Sequence, residues 1–365
     1  MRILMVHPGP EFSVADVFNG WKKAFEQQGH LVHVFNTNDR LSFYSQTSIP
    51  DFTSGGKSPI CETCQQPKFK NAMTKEDAVV AAMQGLTHDL YTVSPHMVVF
   101  VSAFFTPAWV FDLIRQRRHK LVIIHTESPY QDDEQLMRSQ YATLNLLNDP
   151  VNLEEYATLA PSMYMPHAYD PDIHYAAASA KKDLDFSFIG TMFKSRMEFF
   201  EELFSSLDMW EKDNYKIALG GAAWDGAHLD NSPLLRFVGH PREEAVDNLE
   251  TADTYRRSRL GINFYRRESE KAHVGEGWAI GPREVEMAAC GIPWLRDPRG
   301  ESDELFPFLP TFKTIEEAAD LLRWYLADEI RRVKLGMRAK DAIRDRTFLN
   351  HANLLMDEMS KFGIL

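Results

Sequence analysis

The sequence predicts an α/β protein built from two Rossmann-like halves. Short apolar runs alternate with helical segments along most of the chain, as they do in doubly wound parallel sheets. The alternation breaks at residues 161–171, and a small, polar segment follows at 176–182, as expected for a linker. The 365 residues are also enough for two domains of ordinary size.

Composition and charge exclude several classes of protein. Hydrophobic residues make up 44% of the chain and charged residues 25%, which is typical of a globular protein. The net charge of −12 disfavours a mainly electrostatic grip on nucleic acid or on an anionic membrane. The sequence contains no apolar run long enough to predict a membrane span, and the segment Met1–His7 is too short for the apolar part of a signal peptide. Three cysteines, which cannot all pair, favour a cytoplasmic location.

The first half of the chain contains five predicted strands, at residues 2–7, 30–36, 97–102, 121–125 and 144–148. The first helix is expected to be capped by Asp16 and to end near Gly29. Two further helices are expected at residues 75–90 and 107–118. Residues 37–73 are polar and rich in Ser, Thr, Pro and Gly, so we expect a long loop there. These elements predict a first domain over residues 1–170.

A lone Cys-x-x-Cys motif, Cys61 to Cys64, lies inside this polar segment. A zinc site needs two more ligands, and no second pair follows at a suitable spacing. A redox role requires the motif at the start of a helix after a strand, which the sequence does not indicate. We therefore expect no metal site.

A second alternating series begins after the linker. Its predicted strands cover residues 185–189, 215–220, 235–238, 260–265 and 292–295, and its helices cover 195–207, 247–256, 315–327 and 329–344. They predict a second domain over residues 171–345, and a closing helix is expected within residues 346–365. Two such halves form a cleft where the carboxyl ends of their strands meet, which is where ligands bind in this class of fold.

The segment from Gly281 to Phe306 carries the most specific signal. Arg283 and Glu286 are three positions apart, so they share one face of a predicted helix near its N-terminus. Free N–H groups and the helix dipole at that end favour a phosphate. A cation for phosphate beside a carboxylate for sugar hydroxyls suggests a nucleotide-sugar site. The alternative is an exposed ion pair on a capped helix.

A second candidate follows the strand at residues 185–189. Gly190 lets the backbone approach a ligand closely, and Lys194 and Arg196 could add charge against a diphosphate. The alternative is a plain strand-to-helix turn with two solvated cations. The segment is not a Walker A loop, and Gly9 is not part of a G-x-G-x-x-G fingerprint, which disfavours NAD at the first turn.

Candidates in the first half follow strand ends. His125 could contact a sugar hydroxyl, and Glu127 could bind an acceptor or act as a base, or both could simply cap the strand. His7 occupies the same edge of the first strand. Arg266 precedes a Gly-rich stretch, residues 274–281, which could close over a donor or form an ordinary surface loop.

Together these segments identify a resemblance. The chain resembles CgeB-type (spore-maturation-protein-like) glycosyltransferases, a branch of the GT-B superfamily. The similarity is strongest in Arg283 to Gly291 together with Glu304 to Phe306. It extends to Tyr164 to Pro171, Phe188 to Gly190, Arg196, Tyr255 to Asn263, Glu127 to Tyr130 and Asn148 to Asp149.

The resemblance implies a GT-B fold with the acceptor on the first domain and a nucleotide-sugar on the second. The final helix would cross back onto the first domain. By similarity Glu286 would bind the ribose, while Arg283, Arg196 and Lys194 would face the diphosphate. His125 would lie near the donor sugar, and no metal or cofactor would be needed.

The resemblance further implies transfer of a sugar from a nucleoside diphosphate, most simply a UDP-sugar, to a hydroxyl-bearing acceptor. The acceptor stays open among a glycan, a small molecule, a protein and modified DNA. A nucleotide-sugar epimerase and an inactive binding protein are the alternatives. Tyr255 would lie in the cleft. Many retaining relatives carry a glutamate eight positions before the ribose-binding one, where this chain has Trp278, so the stereochemistry stays open, and Glu127 is the candidate base for inversion.

Overall fold

Two parallel sheets organise the chain in the computed structural model. The structure describes residues 1–10, 12–50, 65, 69–178, 180–268 and 277–364. In the first sheet the strand order is β2-β1-β5-β6-β7-β8, and all neighbours run parallel. Its strands are β1 (Arg2–Val6), β2 (Leu31–Phe35), β5 (Met97–Val101), β6 (Lys120–His125), β7 (Leu144–Leu147) and β8 (Ser162–Tyr164).

The first sheet is buried on both faces, as its continuous apolar strands require. Ile3 and Met5 belong to one hydrophobic cluster, and Leu4 and Val6 belong to another on the opposite face. The first cluster includes residues of α1 (Phe12–Gln27) and α14 (Phe348–Lys361), and the second includes residues of α3 (Lys75–Val93) and α4 (Ala108–Gln116).

The C-terminal helix packs on the first domain, which confirms the expected return of the chain. Ala352, Leu355 and Met359 of α14 join the same cluster as the first strand. Gly20 of α1 makes this approach possible, since a Cβ atom there would lie 2.2 Å from the ring of Phe348. The small residue lets the two helices pack closely.

The prediction of a long loop was wrong for residues 37–45. They form α2 (Thr37–Ser45), because the Asn36 side chain caps the helix by accepting the Asp39 N–H at 3.1 Å. A two-stranded antiparallel pair follows, β3 (Ser48–Pro50) with β4 (Phe69–Asn71), whereas Cys61 and Cys64 lie outside the described residues.

Two smaller expectations were also wrong. Asp16 does not cap the first helix but lies inside it, because α1 already begins at Phe12. The predicted strand at 235–238 is a 3-10 turn over Pro233–Phe237, started by Ser232, whose hydroxyl accepts the Leu234 N–H at 3.3 Å.

The second sheet has the order β10-β9-β11-β12 and is also parallel. Its strands are β9 (Leu184–Ile189), β10 (Ile217–Gly220), β11 (Ser258–Asn263) and β12 (Trp294–Arg296). The helices of this half are α7 (Lys194–Ser206), α8 (Met209–Asn214), α9 (Asn248–Arg257), α10 (Pro282–Ala289), α11 (Gly300–Leu305), α12 (Ile315–Ala327) and α13 (Glu329–Ala342). In the first half, α5 (Asp132–Ser139) connects β6 to β7, and α6 (Leu153–Leu159) connects β7 to β8. No helix in the described part of the chain is long and apolar enough to cross a bilayer.

Helix α10, which carries Arg283 and Glu286, is supported from behind by α13. Gly291 ends α10 with a φ of +72°, a conformation that favours glycine. Gly336 of α13 faces this turn so closely that a Cβ atom there would lie 2.1 Å from the Gly291 carbonyl oxygen. The position of α10 therefore depends on backbone-to-backbone contact with α13.

Replacing Gly336 by alanine tests this contact. A methyl group cannot fit against a main-chain oxygen, so α13 must shift, and we expect G336A to lower the free energy of unfolding by about 2 kcal/mol. Thermal unfolding measures the change. Gly239→Ala is the matched control, because its Cβ would meet nothing within 4 Å. Equal melting temperatures for the two variants would contradict the close contact.

Candidate functional site

A cleft of about 690 Å³ separates the two domains at the carboxyl ends of their strands. This volume is in the range of small-molecule sites. The residues proposed from sequence that line it are His125, Glu127, Gly190, Arg196, Arg266, Arg283 and Glu286.

Arg283 is held at the cleft by neutral acceptors. Its Nε donates to the Ile189 carbonyl at 2.7 Å and its Nη1 donates to Asn263 Oδ1 at 2.6 Å. The guanidinium also lies 4.5 Å above the Phe188 ring. Within the described residues no carboxylate forms an ion pair with Arg283, and the buried Asn263 Nδ2 has no hydrogen-bond partner. The positive charge and an amide donor are therefore both available to an anion.

Glycines make room for this guanidinium. A Cβ atom on Gly190 would lie 1.9 Å from Arg283 Nη2. Gly221 has a φ of +120°, and a Cβ atom there would lie 2.4 Å from the Gly190 carbonyl oxygen. The Gly190 N–H donates to the Gly220 carbonyl at 2.8 Å. The backbone can form this cradle only because side chains are absent at these positions.

Arg196 brings a second guanidinium to the same place. It is 7% exposed, and its Nε and Nη1 donate to the carbonyls of Phe264 at 3.0 Å and Thr191 at 2.8 Å. Burial lowers the pKa of Arg196, and the neighbouring charge of Arg283 lowers it further. Two cations that repel each other and share no carboxylate among the described residues would be stabilised by a bound anion.

Glu286 lies one turn along α10 from Arg283. Its carboxylate makes no hydrogen bond or ion pair with another described residue. Burial raises the pKa of Glu286 to about 7, although the nearby Arg283 acts in the opposite direction and Asp16 of the first domain adds to the rise. Asp16 itself has a pKa raised to about 6, by burial and then by Asp247. These acids can accept hydrogen bonds from a ligand.

His125 is 1% exposed and neutral. Its Nε2 lies 2.9 Å from Asn145 Oδ1, and the Asn145 amide nitrogen donates to the Ser139 carbonyl at 3.2 Å. Because the Asn145 oxygen is thus an acceptor, Nε2 carries the proton and Nδ1 keeps a lone pair. Burial lowers the pKa of His125 to about 4. The imidazole can accept a hydrogen bond but carries no charge at neutral pH.

Glu127 meets Arg266 across the cleft. Arg266 Nη1 lies 3.7 Å from Glu127 Oε2, and the guanidinium is 4.8 Å from the Tyr130 ring and 4.6 Å from the Phe193 ring. Glu127 comes from the first domain and Arg266 from the second. The candidate base is therefore engaged in an interdomain ion pair.

Three expected site residues lie outside the cleft. Lys194 is exposed at the start of α7 and pairs with Glu198, one turn along the same helix, at 3.6 Å. His7 turns back on its own loop, where its Nδ1 accepts the Gly9 N–H at 3.1 Å. Tyr255 is fully buried in the core of the second domain, in the same hydrophobic cluster as Val285 and Ala289 of α10.

Sequence reasoning named Asp149 and Tyr164 only as part of the resemblance, and it missed both Glu301 and the contacts by which these residues join the domains at the cleft. Asp149 accepts the N–H groups of Trp278 and Ala279, both at 2.9 Å, and Glu301 accepts the Tyr164 hydroxyl at 2.9 Å. A buried acid directly after a strand was the available signal for Asp149. In the described part of the chain no group of three or more His, Cys, Asp or Glu residues could hold a metal ion.

Comparison with known proteins assigns the fold. A family model described as glycosyl transferase-like matches residues 196–355. Sucrose-phosphate synthase from Thermosynechococcus elongatus is similar over 99% of this chain and 98% of its own, at a TM-score of 0.63 and 12% identity. The trehalose-6-phosphate synthase OtsA is similar over 99% of both chains, at 0.63 and 10%. A search of curated proteins finds no match.

A third solved structure is an alpha-glucosyltransferase in complex with UDP and a 13-mer DNA containing an HMU base. It is similar over 100% of this chain and 99% of its own, at a TM-score of 0.61 and 10% identity. These likenesses confirm the predicted fold: the chain has the GT-B fold, with two Rossmann-like domains facing across the cleft.

Gly190→Ala tests the cradle. The added methyl would displace the Arg283 guanidinium, which is the movable partner, so we expect a fold that survives and a pyrophosphate affinity at least 10-fold weaker. Isothermal titration with inorganic pyrophosphate measures the affinity. Gly239→Ala should bind like wild type, and an unchanged affinity for G190A would show that Arg283 does not contact the anion.

Glu286→Gln tests the cost of burying this carboxyl. A pKa raised to about 7 means that the folded state disfavours the ionised form, so stability falls as pH rises from about 4.5 to about 7. At pH 8 we expect E286Q to be more stable than wild type by about 2 kcal/mol, and equal to it near pH 4. Thermal melts at the two pH values measure the difference. A variant that is less stable at pH 8 would contradict the assignment.

Proposed function

We propose that this protein is a glycosyltransferase that binds a nucleoside-diphosphate sugar, a UDP-sugar in the first instance, on its second domain. The single observation that carries the proposal is the pair of guanidiniums of Arg196 and Arg283 beside Gly190, without an acidic partner among the described residues. A diphosphate fits this arrangement in charge and in its need for close backbone approach.

Helix α10 adds to this anion site. Gly281, Pro282 and Arg283 all line the cleft, so the start of the helix and its dipole lie beside the Arg283 guanidinium. Pro282 has no N–H and the Glu284 N–H donates to the Gly281 carbonyl at 3.2 Å, so the Arg283 N–H is the helix-start group left to contribute. Glu286, one turn further, is placed to accept hydrogen bonds from the ribose hydroxyls. The nucleotide would thus span from Gly190 to Glu286.

The same contacts supply catalysis. When the glycosidic bond to the diphosphate breaks, negative charge develops on the leaving oxygen, and preorganised cations and N–H groups stabilise it. Arg196 and Arg283 are already fixed by carbonyl acceptors, so little reorganisation is needed as that charge grows. We propose that these groups replace a metal ion in this step.

The acceptor would enter from the first domain. His125 and Glu127 line that wall, and the Glu127 carboxylate is the group proposed to accept a proton from an acceptor hydroxyl. Glu127 can do so only when its ion pair with Arg266 opens, whereas the burial that lowers the pKa of His125 to about 4 makes its imidazole a weak base, able to accept a hydrogen bond.

The donor site is tested by nucleotide binding. We expect UDP to raise the melting temperature of the wild-type protein, and Arg283→Ala to weaken UDP binding about 30-fold because a charged hydrogen-bond donor is lost. Lys194→Ala is the matched control, since Lys194 pairs with Glu198 outside the cleft, and it should bind UDP like wild type.

Titration of wild type, R283A and K194A with UDP, and with GDP, dTDP and ADP in parallel, gives the affinities. No binding of any nucleotide to the wild type would reject the proposed function. A loss in K194A equal to that in R283A would place the diphosphate at the start of α7 instead.

Product analysis separates transfer from the alternatives. Incubation with a UDP-sugar and a mixed acceptor panel should yield a glycosylated acceptor together with UDP. An epimerase would yield a changed sugar without net transfer to an acceptor, and an inactive binding protein would bind UDP without turnover. A DNA acceptor would show as binding to duplex DNA that weakens steeply with salt.

A further inference from the structure

The segment Trp278–Ile280 leads directly into the start of α10 and is held by a first-domain carboxylate. Asp149 follows β7 and is 1% exposed. Its Oδ2 accepts the N–H groups of both Trp278 and Ala279, each at 2.9 Å. The other oxygen, Oδ1, accepts the Val151 N–H at 3.0 Å, which fixes the carboxylate to its own domain.

Arg299 binds the segment Trp278–Ile280 through a backbone carbonyl, whereas Asp149 binds it through backbone N–H groups. Its Nη2 lies 3.2 Å from Asp149 Oδ2, and its Nε donates to the Ala279 carbonyl at 2.7 Å. One buried ion pair therefore binds both the N–H and the carbonyl of Ala279. This pair is almost fully removed from solvent, so its geometry is strongly enforced.

Glu301 completes the attachment. Its Oε2 accepts the Ile280 N–H at 2.7 Å, and its backbone N–H donates to the Trp278 carbonyl at 2.8 Å. Its Oε1 accepts the Tyr164 hydroxyl at 2.9 Å and pairs with Arg346. A side chain of the first domain thus reaches the segment by this route as well.

These contacts hold the three residues before Gly281 from both domains, since Asp149 belongs to the first domain and Arg299 and Glu301 belong to the second. The first domain therefore contributes to the direction in which α10 starts. Arg283 is the second residue of that helix. A rotation of the first domain would pull on Asp149 and, through Ala279, on the start of α10.

We infer that Asp149 is a positioning residue for the nucleotide site: it couples the arrangement of the two domains to the placement of Arg283 and the N-terminus of α10. The inference rests on the proposed nucleotide site. It predicts that Asp149, a residue of the first domain, changes the affinity of the second domain for the nucleotide without having to contact the nucleotide. A merely structural role would lower stability without this specific coupling.

Asp149→Asn tests the inference with the shape preserved. The amide oxygen can still accept the two N–H groups of Trp278 and Ala279, but the charge that pairs with Arg299 is lost, and the amide nitrogen can no longer accept the Val151 N–H. We expect the dissociation constant for UDP to rise about 10-fold. In a double-mutant cycle with Arg283→Ala, the second substitution should then add less than about 3-fold, because both act on the same contact.

Hydrogen exchange of the ligand-free protein supplies a readout that needs no nucleotide. Peptides covering residues 277–285 should exchange faster in D149N than in wild type. Arg323→Gln is the control, because it breaks a second-domain ion pair with Glu211, at 2.6 Å, and neither residue lines the cleft. It should lower stability without changing UDP affinity or exchange in 277–285.

The outcomes are separable. Independent, multiplying effects of D149N and R283A on UDP affinity would overturn the inference, and so would unchanged exchange in 277–285. If the wild type binds no nucleotide while D149N still accelerates exchange, the proposed function fails and the coupling of Asp149 to α10 stands.

Discussion

The uncompensated charge of Arg283 is the interaction on which the rest of the cleft depends. The guanidinium is held at the end of β9 by uncharged acceptors, the Ile189 carbonyl and the Asn263 amide oxygen. No carboxylate among the described residues forms an ion pair with it. That arrangement requires a glycine at position 190, a second glycine with a positive φ at position 221, and a helix that starts at Pro282. A guanidinium that is partly removed from water and lacks a counter-ion costs stability unless an anion is bound.

The acids of the cleft show the same conflict between stability and function. Glu286 and Asp16 approach each other from opposite domains, and burial raises the pKa of both. A ligand that donates hydroxyl hydrogen bonds to these carboxylates would offset their desolvation. Because Asp16 belongs to the first domain and Glu286 to the second, a ligand that contacts both would also favour the closed arrangement of the domains.

The sequence predicted the fold well because its signals are local and repeated. Parallel strands buried on both faces appear as continuous apolar runs, and Arg283 and Glu286 fall on one helix face by spacing alone. Lys194 shows the limit of such reasoning. It is only four positions from Gly190 in sequence, yet its side chain in the first turn of α7 points to solvent and pairs with Glu198. The direction of α7 places Arg196 at the cleft and Lys194 outside it, and sequence spacing does not determine that direction.

Contacts between residues that are far apart in sequence could not be predicted, for a different reason. Asp149 and Trp278 are 129 positions apart, and nothing local marks them as partners. Short elements were missed as well: α2 depends on one cap from Asn36, within a segment whose composition is that of a loop. The sequence therefore predicts a donor site built on one helix better than it predicts the interdomain contacts that orient that helix.

Under the proposed function, the interdomain ion pair of Glu127 with Arg266 would link acceptor chemistry to the donor. Arg266 is stacked between Tyr130 of the first domain and Phe193 of the second, so the pair closes the cleft beside the diphosphate cradle. An anionic donor entering there would compete with Glu127 for the guanidinium. If Arg266 turned toward the diphosphate, this ion pair would break, and the loss of the nearby positive charge would make the Glu127 carboxylate a stronger base toward the acceptor hydroxyl. Donor binding would then activate the base, and a carboxylate that is ion-paired in the absence of donor would become reactive only when transfer can follow.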